Sequence, residues 1–149
     1  MIEARVQTGD FDVAAELAAL ERLGGGAVAS FTGLVRAEGG LLSLTLEHYP
    51  AMTQAQLQRI GEQAAQRWPL LGIRIVHRVG TLAPGARIVF VGTASSHRTA
   101  ALESCAFLID WLKTDAPFWK KEAHSDGSGR WVEARPEDAA KAAGWAAED

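Results

Sequence analysis

Two short clusters hold most of the side chains able to do chemistry. Ser95-Ser96-His97-Arg98 follows the strand-like run Val89–Thr93 and opens a helical stretch. A helix N-terminus offers free N–H groups and a partial positive charge, so phosphate or carboxylate binds there readily. His97 and Arg98 would add side-chain donors; the alternative is a serine cap followed by two solvated polar residues. The second cluster, Lys113-Thr114-Asp115-Ala116-Pro117-Phe118-Trp119-Lys120-Lys121, sets three lysines and two aromatic rings around an Ala-Pro turn. Lysine near apolar rings can lose its proton and act as base or nucleophile. The plainer reading is a cation at a helix C-terminus followed by a strand with lysine on its exposed face. Arg36, closing Phe31-Thr32-Gly33-Leu34-Val35-Arg36, carries a fork suited to phosphate or carboxylate, although any surface strand can end in arginine. Arg135, after Trp131-Val132-Glu133-Ala134, reads the same way.

Other chemistries are absent from the pattern. Cys105 is the only cysteine, which removes a disulfide framework, a Cys-pair zinc site and a CxxC relay. It falls on the apolar face of a helix and reads as a buried structural thiol. His48, His77 and His124 lie in separate segments without ligand spacing, so no metal site is expected. Glu47-His48 are adjacent strand residues and point to opposite faces. There is no GxSxG elbow, P-loop or GxGxxG, and Gly24-Gly25-Gly26 lacks the Lys-Ser/Thr of a phosphate loop. The formal charge of −3, from 15 Lys+Arg against 18 Asp+Glu, argues against general nucleic-acid binding. Residues 1–60 hold four Lys/Arg against seven Asp/Glu and the remainder eleven of each, so the later half must supply most of any anion site. No apolar run approaches a membrane span and the first residues do not open a signal peptide; a soluble, cytoplasmic protein is expected.

These residues need elements to position them. Val13, Leu17 and Leu20 have helical spacing between Phe11 and Leu23, with Asp10 or Asp12 as cap. Ala27–Arg36 and Leu42–Glu47 read as strands, and the Glu38-Gly39-Gly40 turn between them suggests an antiparallel hairpin. Thr53 and Gln56 have capping-box spacing ahead of the face Leu57, Ile60, Ala64 and Trp68. Ile73–Val79 and Arg87–Val91 are the two strongest strands, joined through Ala83-Pro84-Gly85-Ala86. Ser95 or Ser96 caps a helix running to about Lys113, with Leu102, Cys105, Ile109 and Leu112 as its apolar face. Phe118–Glu122 and Arg130–Ala134 form a second hairpin, and Pro136 starts a short helix ending near Trp145. Length and composition suit one domain over 1–149 with a hairpin excursion near 118–135. The expected class is α+β with a mostly antiparallel sheet and packed helices.

His97 and Lys113 are sixteen residues apart on one helix, about 24 Å at 1.5 Å per residue. A small substrate cannot touch both ends. Either one end is functional, or His97-Arg98 of one subunit meets Lys113 of another across a homodimer interface.

Taken together, Phe31-Thr32-Gly33-x-Val35-Arg36, Leu44-Thr45-Leu46-Glu47-His48-Tyr49-Pro50-x-Met52, Ser96-His97-Arg98 and Leu112-Lys113-Thr114-x-Ala116-Pro117-Phe118-Trp119-Lys120 resemble the MoaE family, the large catalytic subunits of molybdopterin synthase. Arg130-Trp131-Val132-Glu133-Ala134-Arg135 extends the resemblance, which runs in order from about residue 25 to 135. It implies a hammerhead-type α/β fold and a sulfurtransferase of molybdenum cofactor biosynthesis. Such an enzyme converts cyclic pyranopterin monophosphate to molybdopterin, with sulfur from the C-terminal thiocarboxylate of a small ubiquitin-like subunit ending in Gly-Gly. It also implies a homodimer of large subunits within a heterotetramer, and no metal or redox cofactor.

By position, the resemblance makes Lys113 and Lys120 the catalytic residues. Phe31, Leu34, Val35, Arg36, Lys121, Glu122 and Arg135 would line the substrate site, with His97 and Arg98 supplied by the neighbouring subunit. Leu34 stands where some members have lysine, which leaves a backbone contact there, and Lys121 replaces an arginine. The alternative is a noncatalytic module that binds a ubiquitin-like partner or a phosphorylated metabolite. A phosphometabolite enzyme unrelated to pterins is the third reading.

Overall fold

Successive side chains of β4 (Leu70–Arg78) enter two different cores and so divide the molecule into layers. Ile73 and Ile75 join Leu57, Ile60, Ala64, Ala101, Cys105 and Leu108, whereas Val76 joins Phe11, Leu20, Phe90 and Ala94. A central strand covered on both faces needs this unbroken apolar run, because neighbouring residues point opposite ways. The architecture comes from a computed structural model that describes residues 1–114, 118–132 and 136–146.

The first sheet has the order β1 (Ile2–Gln7), β4, β6 (Arg87–Ser95), β2 (Ala27–Leu34). β1 runs parallel to β4, with Ile2 opposite Ile73, and the other two pairings are antiparallel. Helices α2 (Pro50–Arg67) and α3 (Arg98–Thr114) supply the core of one face, and Trp145 of α4 (Pro136–Ala146) packs against it. Helix α1 (Val13–Glu21) covers the other face through Leu20. Buried Glu16 on α1 meets Arg5 Nη2 at 2.8 Å and Arg74 Nη2 at 3.2 Å, which ties that helix to β1 and β4. The second sheet, β5 (Gly80–Leu82), β3 (Leu41–His48), β7 (Phe118–His124) and β8 (Gly129–Val132), is antiparallel throughout. Val35, Leu44, Leu46 and Leu82 form its core, with Phe118 packed on them. The α+β class with mostly antiparallel pairing agrees with the expectation, and the 118–132 hairpin belongs to this second sheet through β7.

Several local expectations are corrected. β1 has no counterpart in the sequence reading. The hairpin between β2 and β3 does not form: β2 pairs with β6, while β3 pairs with β5 and β7. The reason lies at Val35, whose N–H donates to Ala86 O at 2.9 Å and whose carbonyl accepts from Gly85 N–H at 2.8 Å. Those bonds hold the chain on the β5–β6 turn and carry it from one sheet to the other. Pro50 occupies the first turn of α2, where a missing N–H costs nothing, and Tyr49 is its N-cap. Thr53 therefore lies inside the helix, fully buried, and does not cap it. Ser95 ends β6, its Oγ donating to Pro69 O at 2.8 Å. The buried stripe of α3 is Ala101, Ser104, Cys105 and Leu108, whereas Leu102 is 60% exposed. Of the two proposed caps for α1, Asp12 is the one used, its carboxylate accepting from Ala15 N–H at 3.2 Å.

Candidate active site

Two contacts fix the direction of α3. Thr93 Oγ1 donates to Ala101 O at 2.7 Å, and Cys105 Sγ lies 3.8 Å from Val91 O. Four helix residues rise about 6 Å and two strand residues about 6.6 Å, so the two contacts are in step. The helix thus runs antiparallel to β6 and in the same sense as β2. From Cys105 to Lys113 is about 12 Å of helix, and from Val91 to Arg87 about 13 Å of strand. Arg87 is paired with Leu34. Lys113 is therefore level with Leu34-Val35-Arg36. His97 and Arg98 lie at the opposite end, beside the Ala27–Ser95 pair. Lys113, His97 and Arg98 are all exposed.

The strand register places the other lysines. Lys120 is opposite Leu46 and Glu122 is opposite Leu44, so both share the face that buries those leucines. Lys120 and Glu122 are half-buried there, on the strand face they share with Phe118, which packs on that core. Glu122 Oε1 is 3.0 Å from His124 Nε2. Lys121 takes the other face of β7, its Nζ 5.8 Å from the centre of the Trp131 ring. Trp119 stands on that same outer face, edge-on to Tyr49 at 4.8 Å. Glu47, His48, Tyr49, Trp119 and Trp131 line an open cleft of about 270 Å³ there.

Val35 belongs to the core of the second sheet, at 3% exposure, so its side chain faces protein. The residues flanking it face solvent: Leu34 is more than half exposed, and the exposed Arg36 guanidinium lies 3.8 Å from Glu38. Val35 therefore anchors Arg36 beside the sheet that carries Lys120. Phe31 is half-buried against the core beneath α3. Gly33 makes room for it, since a Cβ there would come within 2.8 Å of Val89 Cγ1 and 3.3 Å of Phe31 Cε1. Arg135 lies outside the described residues.

By register, Lys113, Leu34 and Arg36 lie at one end of the first sheet and His97-Arg98 at the other, and Phe118, which shares its strand face with Lys120 and Glu122, stacks on His77 nearer the first end. These groups offer cations for an anionic substrate and amines able to stabilise an oxyanion or carry protons. Cys105 offers no nucleophile, because burial pushes its thiol up to about 11. Among the described residues no group of three His, Cys, Asp or Glu is placed to hold a metal.

One polar residue at this end, set aside in the sequence only as a metal ligand, has a place in the packing. His77 is 6% exposed, and its ring stacks on Phe118 with centroids 3.7 Å apart. The signal was its place in the buried alternation Ile73, Ile75, His77, where another apolar residue belongs.

A mixed sheet covered by helices on both faces and joined to a second, antiparallel sheet also appears among known proteins. The sequence pattern of the family described as MoaE protein matches residues 6–115. The chain belongs to the MoaE family. Similar proteins include the Molybdopterin synthase catalytic subunit of Mesorhizobium japonicum, 54% identical over 145 residues that cover 95% of this chain and 91% of that protein. Molybdopterin biosynthesis MoaE protein from Burkholderia ambifaria superposes with a TM-score of 0.84 at 49% identity, covering 98% and 99% of the two chains. A complex of subunits 1 and 2 of molybdopterin-converting factor from Helicobacter pylori shares the fold at 21% identity, with a TM-score of 0.73 and 89% and 90% coverage.

Proposed function

We propose that this chain is the catalytic subunit of a molybdopterin synthase. It moves sulfur from the C-terminal thiocarboxylate of a small ubiquitin-like subunit to cyclic pyranopterin monophosphate. The observation that carries the reading is that Lys113 lies level with Leu34-Val35-Arg36 at the C-terminal end of α3, within a fold shared with named molybdopterin synthase subunits.

The chemistry follows from those groups. In each transfer the thiocarboxylate sulfur bonds to a side-chain carbon of the pterin as a carbon–oxygen bond of that carbon breaks and the oxygen leaves as phosphate ester oxygen or water; water then cuts the acyl–sulfur bond, leaving the sulfur on the pterin and returning the partner's tail as a carboxylate. Negative charge builds on the acyl oxygen in that second step. A lysine ammonium held beside it lowers the barrier, and a second amine moves the proton. Lys113 and Lys120 fill these two roles between them. Arg36 holds the substrate's phosphate, with Phe31, Leu34, Val35 and Glu122 shaping the same end and Lys121 adding charge from the outer face of β7, while Arg135 is given its substrate contact by the family resemblance alone. The thin Gly-Gly tail enters at Lys113, which stands exposed at the end of its helix.

His97 and Arg98 are about 24 Å from Lys113 along α3, so they serve the site of a second copy. The active assembly is a homodimer of this chain with one small subunit at each end. The subunit 1 and 2 complex of the Helicobacter pylori fold relative supports a small partner. No described helix is long and apolar enough to cross a membrane, and we assign the reaction to the cytoplasm.

The test combines this chain, a thiocarboxylated small subunit and cyclic pyranopterin monophosphate, with dithiolene pterin read by mass spectrometry. Product is expected from the natural chain and not from Lys113→Ala. Turnover that survives loss of both Lys113 and Lys120, with only the complex weakened, would instead make the chain a docking module. Mixing Lys113→Ala with His97→Ala subunits should restore activity; failure despite proven subunit exchange would exclude the shared site.

A further inference from the structure

His77 is a buried polar side chain for which the proposed reaction has no use. It lies on β4 in the alternation that faces α3, opposite Val89, which is itself opposite Gly33. That level of the sheet is where α3 passes Ile109, one turn before Lys113. The ring is fixed from two directions. Its Nδ1 is 2.8 Å from Arg78 O, and a neutral imidazole satisfies that carbonyl by carrying its proton on Nδ1. Its face lies on Phe118, with centroids 3.7 Å apart and planes within 14°, while the centre of the His48 ring is 6.3 Å from that of Phe118. Burial first, then the positive charges of Lys120 and His48, bring its pKa down to about 4 against the pull of the Arg78 carbonyl. The ring is uncharged at neutral pH, and Lys120 is near enough for its charge to be felt there.

We propose that His77 is a positioning residue for Lys120 and acts through Phe118. The imidazole is a flat, uncharged platform fastened to the first sheet. Phe118 opens β7 and seats that strand on the platform. Lys120 follows two residues later on the same strand face, so the stack sets where its amine stands relative to the Lys113 end of α3. A charged ring would repel that amine, and an aliphatic side chain would leave Phe118 free to slide. The proposal rests on the part given to Lys120 in the reaction above.

The test uses the assembled enzyme and two readouts. One is kcat against KM. The other is the NMR signal of Lys120 after reductive ¹³C-methylation, identified by its loss in Lys120→Arg. His77→Phe keeps the stack and is expected to hold kcat within about threefold with the Lys120 signal in place. His77→Leu and Phe118→Leu each remove the stack and should lower kcat about tenfold, leave KM within about twofold and move the Lys120 signal. The double variant should be no worse than either single one, since both break the same contact. An unmoved Lys120 signal in the two leucine variants, or losses that multiply in the double variant, would overturn the proposal. So would equal losses in His77→Phe and His77→Leu that track the loss of folded protein. If His77→Leu does not fold, the contrast between His77→Phe and Phe118→Leu decides. Full activity of Lys120→Ala would strike the catalytic reading of Lys120, while the NMR signal would still decide whether His77 positions it.

Discussion

Trp145 donates its indole N–H to Asp110 Oδ2 at 2.7 Å, which ties α4 to α3 one turn before Lys113. The Arg67 guanidinium completes the joint. It lies 5.0 Å from the centre of the Phe107 ring, 5.3 Å from Trp68 and 5.7 Å from Trp145, and donates to Trp145 O at 3.1 Å. A cation enclosed by three ring faces holds three helices together at one point.

Truncating that joint should be costly. Trp145→Ala removes the ring and the hydrogen bond together, and about 3 kcal/mol of stability should be lost. Trp145→Phe keeps most of the packing but leaves Asp110 without its donor, for about 1.5 kcal/mol. Urea unfolding of the two variants gives both values.

The opposed faces of β7 separate two neighbouring lysines. Lys120→Ala should lower turnover about a hundredfold, in the range for loss of a proton-transferring group. Lys121→Ala removes charge only from the outer face, beside Trp131, and should cost less than about tenfold, seen in KM. Steady-state kinetics of the pair with a thiocarboxylated partner compares them directly.

Stability should fall on mild acidification because of His77. Its folded pKa of about 4 lies below the ordinary 6.5, so the unfolded chain binds the proton first. The contribution is fully present above pH 6.5 and is lost as pH falls through about 4, up to about 3 kcal/mol. In His77→Phe that part of the slope should vanish. Urea midpoints at about pH 7, 5.5 and 4 for both proteins measure it; equal slopes would contradict the assignment.

Cys105 should resist alkylation in the native protein. Its thiol is 5% exposed and burial has pushed it up to about 11, so little thiolate exists at neutral pH. Iodoacetamide should label it at a measurable rate only after denaturant is added, as followed by intact mass.

Much of this was legible from local pattern. The strands β4, β6 and β7 and the helices α3 and α4 announce themselves through alternation, Pro and Gly. The 24 Å argument for His97 and Lys113 needs only a helix, and α3 supplies it. Partner choice between strands was not legible. Glu38-Gly39-Gly40 looks like a hairpin turn, yet the bonds of Val35 to Ala86 and Gly85, some fifty residues on, take the chain to another sheet. Such bonds involve backbone groups that every residue has, so no side-chain pattern reports them. The face of α3 was misjudged at Leu102 alone, since Cys105 is buried and Ile109 and Leu112 pack against the core. Leu102 is the larger apolar side chain, but where Thr93 bonds Ala101 O the helix turns Ala101 to the core and leaves Leu102 60% exposed. Likewise Lys120 and Lys121 are indistinguishable as residues, and the register against Leu46 alone tells them apart.

The pinning of α3 has a consequence for insertions and deletions. Ala101 and Cys105 fix the rotational phase of the helix on β6, so Lys113 depends on an uninterrupted count of residues after Cys105. One residue added between Cys105 and Lys113 would advance the amine by only about 1.5 Å but swing it by about 100° around the axis. The helix is a ruler that tolerates small errors of length and none of angle. Changes in chain length that keep Lys113 in its place therefore belong before His97 or after Thr114, and not within the interval between Cys105 and Lys113.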